Sequence, residues 1–104
     1  LSTAVHHKIN TITIVMNNKS WGAEKAYQKD FYNERYIGAD INSPPFHKLA
    51  EIYGAKGYYV SELEDLKEVV SDALTCNKPA IINVDVDPKA LYSFRKDSFK
   101  HRSK

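Results

Sequence analysis

Short segments rich in β-branched residues alternate along the chain with segments of helical periodicity, and this alternation constrains the fold more than any other feature. The predicted strands are residues 9–16, 56–60 and 80–86, and the predicted helices are residues 21–33, 44–53 and 61–76, after a helix end at residues 1–7. Strands separated by helices form βαβ crossovers. The sequence therefore predicts an α/β fold, with a parallel sheet and helices on both faces.

Local signals refine these elements. Ser20, Ser43 and Ser61 each stand where a side chain would cap a predicted helix, with Pro44 suited to a first helical position and Glu64 to a capping box. Residues 9–16 become more apolar toward their end, which favours a strand buried on both faces. Gly54 and residues 77–79 predict the ends of the second and third helices.

Composition limits the class of protein. The 104 residues carry a net charge of +2, which is too small to indicate a nucleic-acid partner. A single cysteine, Cys76, favours a reducing compartment, so we expect a cytoplasmic protein. No apolar run reaches the ~18–20 residues that a bilayer crossing requires, so we expect no membrane association.

The segment most suited to chemistry joins the first strand to the first full helix. Asn17 and Asn18 offer amide oxygens, which are hard donors for Mg²⁺ or Ca²⁺. Backbone N–H groups at the helix start suit a phosphate, and Gly22 would let a ligand approach the backbone. Composition alone favours the alternative, a polar turn in which asparagine tolerates a left-handed conformation and caps the helix.

Other polar side chains are better explained as structural or solvent-exposed residues than as catalytic or metal-binding groups. The histidines have no metal-ligand spacing; they are His6, His7, His47 and His101. Cys76 near a helix end is expected to be an ordinary thiol, and Asp85 and Asp87 to form a solvated strand end. The tail cations lack the interleaved aromatic residues of a nucleic-acid surface.

The Asn-Asn pair followed by two residues, an aromatic residue and Gly22 resembles the second half of the thiamine-diphosphate signature. The same acetolactate-synthase-like family is indicated by residues 31–36 (FYNERY), 46–50 (FHKLA), 54–57 (GAKG) and 79–88 (PAIINVDVDP). Residues 21–25 (WGAEK), Gln28, residues 30–33 and residues 94–97 (FRKD) are similar to the sulfoacetaldehyde acetyltransferase branch of that family.

The resemblance implies roles for particular residues. The side-chain oxygen of Asn18 and the backbone carbonyl of Ser20 would bind Mg²⁺, which would bridge to thiamine diphosphate. Asn17 would shape the turn, and the cofactor-binding segment would also include three further residues, Lys19, Trp21 and Gly22. Trp21 would line the pocket, although an aromatic residue at a helix start also suits simple packing.

Glu24 is the candidate catalytic residue. It stands where related decarboxylases carry an active-site glutamate, so the resemblance implies that its carboxyl transfers protons. The alternative is a first-turn carboxylate that stabilises the helix through its dipole. The implied reaction converts sulfoacetaldehyde and phosphate to acetyl phosphate and sulfite. Acetolactate synthase or another carboligase is a second possibility, and a non-catalytic α/β binding module is a third.

The Gly-Asp-Gly half of the signature and the pyrimidine-binding domain lie outside these residues. We therefore expect residues 1–88 to be part of a C-terminal thiamine-diphosphate-binding domain and residues 89–104 to be a basic tail, within a longer enzyme. The expected partners are a small-molecule substrate, the remaining domains of the enzyme and, in full-length form, further copies of it. The isolated chain is expected to be inactive.

Overall fold

The structure, a computed structural model, describes residues 1–92 of the chain. Its helices and strands are α1 (Ser2–His6), β1 (Ile12–Asn17), α2 (Gly22–Phe31), α3 (Phe46–Ile52), β2 (Lys56–Val60), α4 (Leu63–Thr75) and β3 (Ala80–Asp85). The chain divides into two compact units, which are described separately. The first contains residues 1–17 and 43–86, and the second contains residues 18–42 and, of the described residues, 87–92.

Within the described residues, the first unit contains a three-stranded parallel sheet in the order β1-β3-β2. Ile12 of β1 and Lys56 of β2 both pair with Ala80, so the outer strands begin at the same level of β3. At the other end, Asn17 pairs with Asp85. The carboxyl ends of the strands therefore lie along one edge, and the predicted parallel sheet is confirmed.

Helices cover both faces of this sheet, as predicted. Ile82 of β3, which is 0% exposed, packs on one side against α4. The α4 side chains in this core are Leu66, Val69 and Val70. Ile81, 8% exposed, packs on the other side with Ala50 of α3. Burial of a side chain of this size stabilises the folded state by about 1.5–3 kcal/mol. Because β3 contributes buried residues to the clusters on both faces, it is the centre of the core.

The prediction that the first strand is buried on both faces is wrong. β1 begins at Ile12 rather than at residue 9, and Ile14 and Met16 are 45% and 65% exposed. These side chains are exposed because β1 lies at the edge of the described sheet. Among residues 1–92 it pairs with β3 alone, and α3 and α4 pack over β2 and β3. The strand with two buried faces is β3 instead.

The predicted serine cap of α2 is wrong. The helix begins after Trp21, and in the described part of the chain Trp21 makes no side-chain capping hydrogen bond. The Ser20 hydroxyl donates instead to the backbone carbonyl of Asn18 at 3.1 Å. The serine therefore closes the turn before the helix and leaves the first helical amides without a side-chain partner.

The predicted caps of α3 and α4 are also wrong. Pro45 and Glu62 occupy the N-cap positions expected for Ser43 and Ser61, and within residues 1–92 neither makes a side-chain capping bond. In α4, the first turn contains Glu64, whose carboxylate is favoured there by the helix dipole. Charge therefore stabilises this helix start where the sequence predicted a hydroxyl cap.

The helix ends are predicted better than the starts. Helices α1, α3 and α4 are each followed by a left-handed residue, with φ of 56° at Lys8, 82° at Gly54 and 57° at Asn77. After α3, the amide of Ala55 donates to the carbonyl of Ala50 at 2.9 Å. This is the bond of a Schellman motif that spans six residues. The predicted ends at Gly54 and Asn77 are confirmed.

Gly57 lets β2 and α3 approach each other closely. A Cβ atom at this position would lie 1.9 Å from the carbonyl oxygen of His47. Close packing leaves no room for such a contact without a shift of the backbone. Glycine at residue 57 is therefore a requirement of the α3–β2 packing.

Candidate functional site

The turn after β1 is closed by two hydrogen bonds between side chains and the backbone. Oδ1 of Asn18 accepts from the backbone N–H of Ser20 at 3.1 Å, and Oγ of Ser20 donates to the carbonyl of Asn18 at 3.1 Å. Between them, Lys19 has a left-handed φ of 54°. Asparagine and serine side chains stabilise turns in this way. The segment is therefore a polar turn, but the left-handed residue is Lys19 and not an asparagine, and within residues 1–92 α2 has no side-chain cap.

The backbone on each side of Ser20 pairs with residues near Asp40. The N–H of Trp21 donates to the carbonyl of Ala39 at 2.6 Å, and the N–H of Ile41 donates to the carbonyl of Lys19 at 3.1 Å. Ser20 and Asp40 thus face each other as a non-hydrogen-bonded antiparallel pair. In such a pair the carbonyl of the central residue points away from the partner strand, so this bridge does not use the Ser20 carbonyl.

Gly22 allows the Asn18 amide to lie against the start of α2. A Cβ atom on Gly22 would approach Nδ2 of Asn18 to 2.8 Å. A larger residue would push that side chain aside and change the position of its oxygen. Glycine here serves the placement of Asn18, which is a more specific role than the approach of a ligand to the backbone.

A salt bridge and two side-chain-to-backbone hydrogen bonds tie residues 37–40 to α2. Nζ of Lys25 lies 2.5 Å from Oδ1 of Asp40, and this contact lowers the pKa of the exposed Asp40 carboxyl. Gln28 donates to the carbonyl of Ile37 at 2.9 Å and accepts from its N–H at 3.1 Å. Sequence spacing did not reveal the partnership of Lys25 and Asp40, because 15 residues separate them.

Glu24 and Trp21 lie at the start of α2 with exposed side chains. Glu24 stands in the first turn of the helix, and Trp21 is 59% exposed. This position of Glu24 agrees with the helix-stabilising alternative. Its catalytic role, and the pocket-lining role of Trp21, stay predictions.

In the first unit, a polar network runs along the carboxyl edge of the sheet. Asn17 and Asn83 are 7% and 2% exposed, and Nδ2 of Asn17 donates to Oδ1 of Asn83 at 3.1 Å. Nδ2 of Asn83 lies 3.5 Å from Oδ1 of Asp85, and Oδ2 of Asp85 accepts a hydrogen bond from the Tyr59 hydroxyl. That hydrogen bond raises the pKa of Tyr59. Asn83 was not among the predicted site residues, although an amide within the apolar run of β3 was an available signal.

The donors near the turn fit Mg²⁺. Oδ1 of Asn18 accepts one hydrogen bond and retains a second lone pair, and the carbonyl of Ser20 is directed away from its bridge partner. Both are the hard, neutral oxygens that Mg²⁺ accepts alongside phosphate oxygens. Among residues 1–92, no group of three or more His, Cys, Asp or Glu side chains could hold a metal ion.

The weaker candidates behave as ordinary residues. His6 and His7 contact each other edge to face, and His47 packs 5.2 Å from the Tyr59 ring. The Cys76 thiol donates to the carbonyl of Ala73 at 3.3 Å at the end of α4. His101 lies outside the described residues. Of the helices described, none has the length and apolar composition that a bilayer crossing requires.

Comparison with known proteins identifies the family. Residues 1–84 match the family described as "Thiamine pyrophosphate enzyme, C-terminal TPP binding domain". The chain belongs to this family. The α/β fold predicted from the alternating strands and helices is therefore that of a thiamine-diphosphate-binding domain, and the resemblance found in the sequence is confirmed.

Relatives with different activities are similar to this chain. Sulfoacetaldehyde acetyltransferase of Castellaniella defragrans is 32% identical over 94% of the chain, and the mitochondrial acetolactate synthase catalytic subunit of Aspergillus candidus is 33% identical over 86%. The thiamine diphosphate-dependent 4-hydroxybenzoylformate decarboxylase of Rhodococcus jostii RHA1 superposes with a TM-score of 0.74 at 30% identity over 83% of the chain. The chain spans 17%, 13% and 16% of these proteins, respectively.

Proposed function

We propose that this chain is the C-terminal cofactor-binding part of a longer, thiamine-diphosphate- and Mg²⁺-dependent acetyltransferase. This enzyme converts sulfoacetaldehyde and phosphate to acetyl phosphate and sulfite. The observation that carries the proposal is the 32% identity to a sulfoacetaldehyde acetyltransferase over 94% of the chain. The 33% identity to an acetolactate synthase supports a carboligase as the second candidate.

The residues of the turn would hold the cofactor through its metal. Oδ1 of Asn18 and the carbonyl of Ser20 would bind Mg²⁺, and the backbone of Lys19, Trp21 and Gly22 would form the segment beside the diphosphate. Thiamine diphosphate, when bound, supplies a nucleophilic carbon and an electron sink for cleavage beside a carbonyl group. The chain's own contribution is to bind and orient the cofactor, and to transfer protons through the Glu24 carboxyl.

The whole enzyme would need parts that these residues do not contain. We place the remaining domains of the same polypeptide, and further copies of it in a homo-oligomer, among its partners, and we place it in the cytoplasm. The division into a domain at residues 1–88 and a basic tail at residues 89–104 stays a prediction, since residues 93–104 lie outside the described part of the chain.

A substrate comparison tests the proposed reaction. The full-length protein, supplied with thiamine diphosphate and Mg²⁺, is expected to form acetyl phosphate and sulfite from sulfoacetaldehyde and phosphate. Pyruvate is expected to give little acetolactate under the same conditions. Acetolactate as the main product would favour the carboligase, and bound cofactor without turnover of either substrate would favour the binding module.

Substitution of Glu24 by glutamine tests its catalytic role. The amide keeps the size of the side chain but removes the proton-transferring carboxyl, so kcat is expected to fall by roughly 10²- to 10⁴-fold with little change in cofactor affinity. The matched control is Glu64→Gln, because Glu64 is also a first-turn carboxylate, in α4. Equal, small effects of the two substitutions on kcat would show that Glu24 only stabilises its helix.

A further inference from the structure

The buried amide pair at the carboxyl edge of the sheet is unusual for a core that is otherwise apolar. Asn17 pairs in register with Asp85, and Val15 pairs with Asn83, so the two asparagines are diagonal neighbours on one face of the sheet. Their side chains meet through the 3.1 Å bond from Nδ2 of Asn17 to Oδ1 of Asn83. The backbone of Asn17 is held as well, because its carbonyl accepts from the N–H of Val86 at 3.0 Å.

The pair belongs to a network that includes each strand of the described sheet. Asn83 and Asp85 lie on β3, Asn17 ends β1, and Tyr59 on β2 donates its hydroxyl proton to Asp85. The strands run in parallel, so these groups collect at the edge where the chain leaves β1. The network therefore fixes the carboxyl end of β1 relative to β3 and β2.

Stability alone does not explain the asparagine pair. Two apolar residues of similar shape in these positions would be nearly neutral or stabilising, because the net gain from one buried hydrogen bond is small. Removal of one partner alone is costly, because it leaves a buried amide without its bond. The pair instead fixes a position, because its directional hydrogen bond holds the last residue of β1 in one place.

We propose that Asn83 is a positioning residue for the cofactor-binding turn. Through its hydrogen bond to Asn17 it holds the end of β1, and the following residue, Asn18, begins the turn that would bind Mg²⁺. This inference rests on the proposed function, because it concerns the same metal and cofactor. Asn83 acts through Asn17 and touches neither the metal nor the cofactor.

Titration of the full-length protein with Mg²⁺ in the presence of thiamine diphosphate tests the proposal. By calorimetry, Asn83→Leu is expected to weaken Mg²⁺ binding about tenfold, which is the lower end of the losses seen when a group supporting a metal ligand is removed. Asn83→Gln keeps an amide oxygen that can accept from Asn17 and adds no charge beside Asp85, so its affinity is expected to stay closer to that of the unsubstituted protein than that of Asn83→Leu. Where Asn83→Leu gives no folded protein, Asn83→Ala also removes the acceptor and has the same expected result.

Ile82→Val is the matched control for stability. Ile82 is the preceding residue of the same strand and packs on the opposite face with the α4 core. Its shortening is expected to lower the melting temperature without changing the affinity for Mg²⁺. A loss of affinity in this control would show that general destabilisation explains the result.

The outcomes separate this proposal from the proposed function. Unsubstituted protein that binds no thiamine diphosphate would overturn both. If the unsubstituted protein binds thiamine diphosphate and Mg²⁺ tightly and Asn83→Leu has the same affinity for Mg²⁺, the positioning role alone would be overturned. An equal loss of affinity in Asn83→Gln and Asn83→Leu would also overturn it, because the acceptor oxygen would then be irrelevant.

Discussion

Replacement of Gly57 by alanine is expected to destabilise the α3–β2 packing by roughly 3 kcal/mol or more, at the upper end of the cost of overpacking a core. The added Cβ would lie 1.9 Å from the carbonyl oxygen of His47. A backbone carbonyl cannot rotate away as a flexible side chain can, so α3 or β2 must shift. Thermal unfolding of the full-length protein, followed by circular dichroism, measures the effect.

Gly54→Ala is the matched control, since it lies in the same unit and tests backbone conformation without overlap. A Cβ atom there would meet Val5 Cγ1 at an ordinary 3.6 Å, but φ is 82°. We expect a cost of about 1 kcal/mol from the left-handed conformation alone. Similar melting temperatures for the two variants would contradict the close approach at Gly57.

Replacement of Asn18 by alanine is expected to weaken Mg²⁺-dependent binding of thiamine diphosphate by roughly 100-fold, the upper end of the losses seen when a group near a bound metal is removed. The substitution removes Oδ1, which would bind the metal and which accepts the N–H of Ser20 at 3.1 Å. Titration of the full-length protein with the cofactor at several Mg²⁺ concentrations measures the change.

Ser20→Ala separates the metal role of the turn from its shape. The backbone carbonyl remains, whereas the hydroxyl that donates to Asn18 at 3.1 Å is lost. Because the proposed ligand is the carbonyl, affinity is expected to fall only about threefold, the cost of one modest hydrogen bond. Equal losses in Asn18→Ala and Ser20→Ala would mean that the turn acts through its shape alone.

The strand and helix pattern was enough to predict the fold class. Alternating periodicity placed the described strands and helices in the correct order, and Gly54 and Asn77 marked two helix ends through their left-handed conformation. These features depend on local chemistry, which a sequence displays directly. The burial of β1 could not be predicted, because exposure of Met16 depends on which strands lie beside it.

The candidate site was predicted as a segment but not as an arrangement. Asn18, Ser20 and Gly22 were singled out together, and the structure brings Oδ1 of Asn18 to the Ser20 amide and places Nδ2 of Asn18 where a Cβ atom on residue 22 would displace it. Long-range partners were missed, because Asn17 and Asn83 are 66 residues apart. A hydroxyl near a helix start has several possible acceptors, and Ser20 uses the carbonyl of Asn18 instead of capping α2.

The alignment of β1 with β3 has a consequence for deletions within the strand. Successive side chains of a strand point to opposite faces, so a slip of one residue would bring the thioether of Met16 to the place of the Asn17 amide. The same slip would move Ile12 off the α4 side of the sheet, where it packs now. Loss of a single codon within residues 12–17 would thus shift at least one part of β1 by one residue, and would disturb the core packing at Ile12, the strand end at Asn17, or both.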